Sequence, residues 1–375
     1  MKKSRSPLLL LLLLCGALLS CGHAASRGED RSAAGDTLAL RYATLFHVEE
    51  RADGVRLVTV GGESADRFAL VPRGQAAEVP EGYVRVDVPI QRTICMTALQ
   101  LAHFTALDAH DIVRGLTGTK NLYNPDILAR VADGRIYLIG MEGAFDAERI
   151  LAADPQVIFI SPFKRGGYEA IKETGITLVP HLGYKELHPL GQAEWLKFIA
   201  LFIGKEAEAD SLFREIEGEY QALCALTSGV SERPTVLSGE MHGANWYAVG
   251  GRSTLAQLFR DAGADYVLRD NEATGGVNMQ YEELFAAAAH ADYWRILNSF
   301  PGDFSYEALR ASDPRNAHFK AWQERKVIYC NMRQTPYYET APVQPHVLLK
   351  DLVAIFHPEL VEEPYEPTYY HLLDQ

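Results

Sequence analysis

The chain has 375 residues, 47% of them hydrophobic, with 36 basic and 49 acidic side chains and a formal net charge of −13. That length supports about two domains with real cores. So acidic a chain has no electrostatic reason to seek nucleic acid or an anionic membrane surface.

The first residues predict export. Lys2, Lys3 and Arg5 precede the unbroken run Leu8–Leu14. Such a run is too short to span a bilayer comfortably and fits the apolar core of a secretory signal. It ends in Leu18-Leu19-Ser20-Cys21, which resembles a bacterial lipobox, where the cysteine becomes the lipidated first residue. Residues 1–20 are therefore expected to be a signal peptide and Cys21 a lipid anchor. Two or more acyl chains anchor stably, at roughly 0.8 kcal/mol per buried methylene. Removing residues 1–20 takes away three cations and no acid, leaving 33 basic and 49 acidic groups and a net charge of −16. Cys15 lies in the signal. Cys95, Cys224 and Cys330 remain, an odd number that makes no complete disulfide framework. No later segment is long and apolar enough to span a membrane.

Residues 21–36 are rich in Gly, Ala, Ser and charge and read as a flexible tether. Over residues 37–89, the runs Leu38–Phe46, Val55–Val60 and Arg67–Val71 alternate. Asp53-Gly54 and Gly61-Gly62 divide them as hairpin-type turns, which predicts a small β-rich extension. From residue 90 to 188, strand and helix patterns alternate: helix Ala98–Leu107, strand Arg135–Ile139, helix Asp146–Ala153 and buried strand Val157–Ile160. Helix Tyr168–Thr174 and strand Thr177–Val179 follow. Alternation of this kind predicts a lobe with a largely parallel sheet. Over 189–228 the apolar residues Leu196, Ile199, Ile203, Leu212, Ile216, Tyr220 and Leu223 fall mostly three or four apart, a helical connector that Gly204 divides in two. Alternation resumes over 229–375, with strands at Thr235–Ser238, Tyr293–Leu297 and Val327–Cys330 and helices at Ser253–Ala262 and Gln344–Phe356. The expected fold is α/β, with two lobes joined by a long helix and preceded by the extension.

No enzyme signature is present: no G-x-S-x-G, H-E-x-x-H, P-loop, C-x-x-C or G-x-G-x-x-G. Asp108, His110 and Asp111 cluster after a helix and read as turn and cap residues rather than metal ligands. No metal or cofactor is expected.

The loops after predicted strands carry more chemistry. In α/β sheets, ligands bind beyond the carboxyl ends of the strands. Cys95 and Met96 follow the first strand. Lys164, Arg165 and Tyr168 follow Val157–Ser161. His242, Trp246 and Tyr247 follow Thr235–Ser238. Arg333, Tyr337 and Tyr338 follow Val327–Cys330. Aromatics, cations and glycines together suit a large flat or conjugated ligand. Any one of these aromatics could instead pack on its own lobe; the set, spread over both lobes, points to a cleft site.

Six segments carry a resemblance to the periplasmic-binding-protein family for iron–siderophores, haem and vitamin B12. They are Gly143-Ala-Phe-Asp-Ala-Glu-Arg-Ile, Pro189-Leu-Gly-Gln-Ala-Glu-Trp-Leu, Trp246-Tyr-Ala-Val-Gly-Gly-Arg-Ser, Asp261-Ala-Gly-Ala-Asp-Tyr, Tyr281-Glu-Glu-Leu and Leu349-Lys-Asp-Leu-Val-Ala-Ile-Phe. The resemblance covers about residues 85–372 and excludes the extension. It implies two lobes with limited hinge closure, an ABC permease as partner, and one glutamate per lobe that docks it: Glu148 and Glu282. As plain residues, both are helix-start carboxylates favoured by the helix dipole. The resemblance further implies a monomeric carrier, exported to the cell envelope, for an iron chelate of the siderophore type. Haem or a corrinoid stands second. An envelope enzyme with a dispersed active site and a direct metal-ion carrier are the rival readings.

Overall fold

A computed structural model describes residues 39–374, apart from Glu63, Glu142 and residues 163–167. The expected lipid anchor Cys21 and the expected cations Lys164 and Arg165 lie outside the described residues.

The extension is a four-stranded sheet of β1 (Phe46–Glu50), β2 (Arg56–Val60), β3 (Asp66–Pro72) and β4 (Val84–Val88). The first three form an antiparallel meander, and β4 joins β3 in parallel. Gly54 (φ 78°) and Gly61 (φ 98°) take the left-handed conformation at the two turns, which only glycine adopts cheaply. The strand expected at Leu38–Phe46 begins instead at Phe46. Residues 41–45 donate their backbone N–H groups to carboxylates rather than to a neighbouring strand. Glu194 accepts from Arg41, Tyr42 (2.8 Å) and Ala43 (2.9 Å), and Glu186 accepts from Thr44 (2.9 Å) and Leu45 (3.1 Å).

The N-terminal lobe contains β5 (Thr93–Cys95), α1 (Ala98–Ala106), β6 (Val113–Leu116), α2 (Pro125–Ala132) and β7 (Tyr137–Leu138). A short hairpin, β8 (Gly140–Met141) and β9 (Ala144–Phe145), then leads into α3 (Ala147–Ala152), β10 (Val157–Ile160), α4 (Glu169–Lys172) and β11 (Thr177–Pro180). The sheet is wholly parallel in the order β11-β10-β5-β6-β7. Thr97 opens α1 with a reciprocal capping box to Gln100, which fixes the turn where the strand end meets the cleft.

The connector is two helices, α5 (Pro189–Ile203) and α6 (Glu206–Thr227), divided where Gly204 takes φ 71°. Trp195, Phe198 and Phe202 of α5 are buried in the N-terminal core, whereas Phe213, Ile216 and Tyr220 of α6 are buried in the C-terminal core. The extension packs on the same helix: Phe46 lies edge-on to Trp195 (4.9 Å) and Phe198 (5.2 Å).

The C-terminal lobe contains β12 (Thr235–Ser238), β13 (Glu240–His242), β14 (Asn245–Val249), α7 (Thr254–Asp261), β15 (Asp265–Tyr266), β16 (Gly276–Met279) and α8 (Tyr281–Ala288). After these come β17 (Tyr293–Asn298), α9 (Tyr306–Ser312), α10 (Lys320–Gln323), β18 (Val327–Asn331), α11 (Tyr337–Thr340), α12 (Pro345–Phe356) and β19 (His371–Leu372). Its main sheet runs β15-β12-β17-β18-β19, parallel except for β19. The segment expected to be a ligand loop around residues 241–247 is the antiparallel hairpin β13–β14, extended by β16. The α/β fold with two parallel-sheet lobes, a helical connector and a β-rich extension is thus the observed one.

Candidate functional site

The carboxyl ends of the parallel strands converge on a cavity of about 430 Å³. Its C-terminal side is supplied by Ser238 at the end of β12, Glu240 just beyond it, Arg295 and Leu297 on β17, and Met332 beyond β18. Tyr337 and Tyr338 of α11 and Tyr247 of β14 add aromatic walls, while Leu99, Tyr184 and Gln192 close it from the N-terminal lobe and connector. Leu255, Leu258 and Leu348 make much of the remaining surface apolar. A few polar groups set in apolar walls is the ordinary make-up of a small-molecule site.

Two expected residues stand out among those lining the cavity. Tyr247 and Tyr338 are 48% and 47% exposed, far more than a tyrosine serving only the core. Tyr337 accepts a hydrogen bond from the Tyr370 hydroxyl (3.1 Å). His242 is exposed beside Tyr247, with ring centroids 6.5 Å apart. Arg333 is exposed at a neighbouring depression with Lys120 and Tyr123, where the lobes meet. Cys95 is fully buried, its thiol pushed up by burial, and borders a smaller cavity of about 220 Å³ at the strand ends of the N-terminal lobe.

Three expected contacts are corrected. Trp246 is 0% exposed and packs at a tilt against Trp294 (5.3 Å) and Phe319 (5.5 Å). Its indole N–H donates to the Ser238 carbonyl (3.1 Å), so its one polar atom is satisfied inside the core. The reason is strand alternation: successive side chains of β14 face opposite sides, Trp246 inward and Tyr247 outward. Met96 belongs to the core of the N-terminal lobe. Tyr168 does too, with its hydroxyl donating to the Ser161 carbonyl (2.9 Å).

Sequence reasoning missed Arg295, Glu240 and Tyr370. Arg295 is 7% exposed, and its Nε donates to the Tyr370 hydroxyl (2.9 Å), as does its Nη2. The guanidinium also lies 5.1 Å from the Tyr370 ring centroid. Tyr370 is placed by a C-terminal strap whose backbone is lashed to Asp351. That carboxylate accepts from the Tyr365 hydroxyl (2.6 Å) and from the N–H groups of Thr368 (3.0 Å), Tyr369 (2.6 Å) and Tyr370 (3.0 Å). Glu240 accepts from the Asn298 amide (3.2 Å), and burial raises its carboxyl pKa. The signal was present: a lone arginine inside Tyr-Trp-Arg-Ile-Leu, a run that reads as a buried strand, needs a reason to be there.

The lobes are latched beside the cleft. Glu339 of α11, buried, accepts from the backbone N–H groups of Tyr123 (2.6 Å) and Asn124 (3.1 Å), and the Tyr123 hydroxyl donates to the Met332 carbonyl (2.7 Å). Glu148 and Glu282 are exposed in the first turns of α3 and α8. Arg315 approaches Glu282 to 3.7 Å and covers the ring of Tyr281. No cluster of three metal-ligating side chains exists among the described residues, and no described helix is long and apolar enough to cross a membrane.

Comparison with known proteins agrees with this architecture. The chain is 27% identical over 304 residues to an uncharacterized lipoprotein of Methanocaldococcus jannaschii, covering 77% of this chain and 70% of that one. Its fold is similar to that of a periplasmic haem-binding protein from Pseudomonas aeruginosa, with a TM-score of 0.61 at 17% identity over 76% of this chain and 99% of the other. A periplasmic binding protein from Veillonella parvula matches with a TM-score of 0.59 at 14% identity, over 86% of this chain and 99% of the other. The model of the periplasmic binding protein family matches residues 94–333, from the first strand of one lobe to the last cleft loop of the other, and the chain belongs to that family.

Proposed function

We propose that this protein is the exported, lipid-anchored, ligand-capturing component of an ATP-driven uptake transporter, and that it carries an iron chelate of the siderophore type. The observation that carries the reading is the cavity between the lobes, about 430 Å³ and lined by Tyr247, Tyr337, Tyr338 and a guanidinium. An apolar body with polar or conjugated edges fits such walls. Haem or a corrinoid is the second reading, favoured by the leucines of the cavity and by the haem-binding function of the Pseudomonas aeruginosa neighbour. Native mass spectrometry of protein purified from its own host tests both: a co-purifying chelate or tetrapyrrole supports capture, and its mass separates the two.

Delivery to a permease requires a surface on each lobe. Glu148 and Glu282 occupy equivalent exposed helix starts, one per lobe. Changing both to Lys should abolish uptake and leave ligand affinity intact, because the docking face would then present the wrong charge. Normal uptake by the double variant would remove these residues from the docking role. The Cys21→Ala protein should leave the membrane fraction; wholly membrane-bound variant would rule out the anchor.

A further inference from the structure

We infer that the cavity seats an acid group of its ligand, a carboxylate or comparable oxyanion, on Arg295, with the Ser238 hydroxyl as a second donor. This rests on the capture reading and narrows its ligand class.

Arg295 is 7% exposed, and no carboxylate lies within ion-pairing distance of it among the described residues. Its guanidinium cannot shed its proton, so the charge stays. Among the described residues, its direct protein compensation is one phenol oxygen and one ring face, both from Tyr370, and Nη1 has no acceptor there. Other buried charges in this protein are treated differently. Asp351 collects four donors. Glu194 takes the N–H groups of residues 41–43 together with the Lys197 ammonium (3.1 Å). A chain that saturates its buried carboxylates leaves its buried cation open toward a cavity. Glu240 borders the same space and touches Arg295 only through the longer-range field, its oxygen being engaged by Asn298.

Ser238 supplies the independent observation. It is 1% exposed, and its hydroxyl has no partner among the described residues. It stands opposite Arg295 in the β12–β17 register, so both side chains leave the sheet on one face, and both line the cavity. A planar fork of N–H donors beside an unused hydroxyl is the donor set that recognises an oxyanion. Leu255, Leu297 and Leu348 around it accept an apolar body. In the neighbouring depression, Lys120 and Arg333 add two further cations.

The test uses a matched pair of small probes, benzoate and benzamide, which share size and ring and differ in charge. On the full exported chain, titration followed by NMR and by thermal midpoint should show benzoate binding at least about tenfold more tightly. Arg295→Met should erase that preference, and Arg295→Lys should retain part of it, since a point charge replaces the fork. Ser238→Ala should weaken benzoate a few-fold. Equal binding of the two probes to the wild-type chain would overturn the inference, and that comparison needs no variant to fold. A preference that survives in Arg295→Met would overturn it as well. The capture reading fails separately. A neutral chelate co-purifying from the host would keep capture and sink the acid anchor. A benzoate preference through Arg295 in a protein that carries no ligand and supports no uptake would do the reverse.

Discussion

Two irregular segments near either end of the described residues are tied down by the same device, put to different uses. At the N-terminal side, residues 41–45 are lashed to Glu194 and Glu186, and Glu217 adds bonds to the Arg41 guanidinium (2.5 Å) and the Tyr42 hydroxyl (2.7 Å). At the C-terminal side, residues 365–370 are lashed to Asp351. In both, a buried carboxylate gathers the backbone N–H groups of an irregular segment that no strand partner satisfies. The N-terminal strap fixes the extension to the connector helices and supplies no residue to the lining of the cleft cavity. The C-terminal strap places Tyr370 beneath Arg295 and so reaches the cleft. One strap therefore serves the frame, and the other serves frame and site together.

The comparison breaks most directly by removing each carboxylate. Asp351→Ala leaves three backbone N–H groups and a phenol without acceptors, and Glu194→Ala leaves three N–H groups without acceptors and the Lys197 ammonium with Asp210 alone (3.4 Å). Each change should cost about 3–5 kcal/mol of stability, the usual loss when one partner of a buried polar cluster is deleted. Chemical denaturation measures this. The two should part company in binding: at temperatures where both variants are folded, Asp351→Ala should lose its preference for acid probes and Glu194→Ala should keep it. Equal binding by both would mean that the C-terminal strap does not aim Arg295.

Acid should separate the straps next. His103 and His181 are both 0% exposed, with rings 4.9 Å apart, and His181 lies 4.6 Å from Trp195, whose indole N–H donates to Glu186 of the N-terminal strap (3.0 Å). Besides the two rings, the groups facing this pair are the carbonyls of Leu99 and Gln192 and the ring of Phe198. Burial lowers the His103 pKa from 6.5 to about 4 and holds His181 well below its usual value. A depressed folded pKa contributes stability that is fully present above pH 6.5 and is lost as pH falls toward about 4. For His103 alone the loss is roughly 3 kcal/mol. Asp351 has the opposite sign: burial outweighs its hydrogen bonds and raises its pKa, so its linkage favours the folded chain at low pH and is lost as pH rises. Hydrogen exchange at pH 4.5 should therefore open residues 41–45 before residues 365–370. His181→Phe should blunt the acid loss, and simultaneous opening of the two segments would contradict the assignment.

These straps also mark the limit of what the sequence shows. Lobes, connector and the Gly204 break were legible, because period, turn residues and chain order report them locally. The straps were not, because each depends on a carboxylate more than a hundred residues away or on a helix whose own pattern is unremarkable. The same limit applied at the site. Tyr247, Tyr337 and Tyr338 were legible as strand-end aromatics, and they line the cavity. Trp246 was misplaced by one residue of alternation, since a segment taken for a loop has no inside and outside, whereas a hairpin has both. Arg295 was passed over because a charged residue within an apolar run was counted as part of the strand rather than as an exception to it.

A third carboxylate sharpens the comparison by crossing between lobes instead of holding an end. Glu339 accepts from the N–H groups of Tyr123 (2.6 Å) and Asn124 (3.1 Å), so the cap of α2 in one lobe is held by α11 of the other. Its two bonds cost no fold if they part, because each lobe retains its own core. The Glu339→Gln side chain would turn an amide N–H₂ toward one of these donors, losing one acceptor and adding a like dipole. The expected effect is about 1–3 kcal/mol on lobe closure, with the global unfolding midpoint nearly unchanged. Since 1.4 kcal/mol is about tenfold, the open form should become measurably populated. Electron–electron resonance between one label on each lobe reads that directly. A broadened distance distribution with unchanged denaturation would place Glu339 as a closure latch; an unchanged distribution would leave closure to the Tyr123–Met332 bond and to packing such as that of α1 against α11.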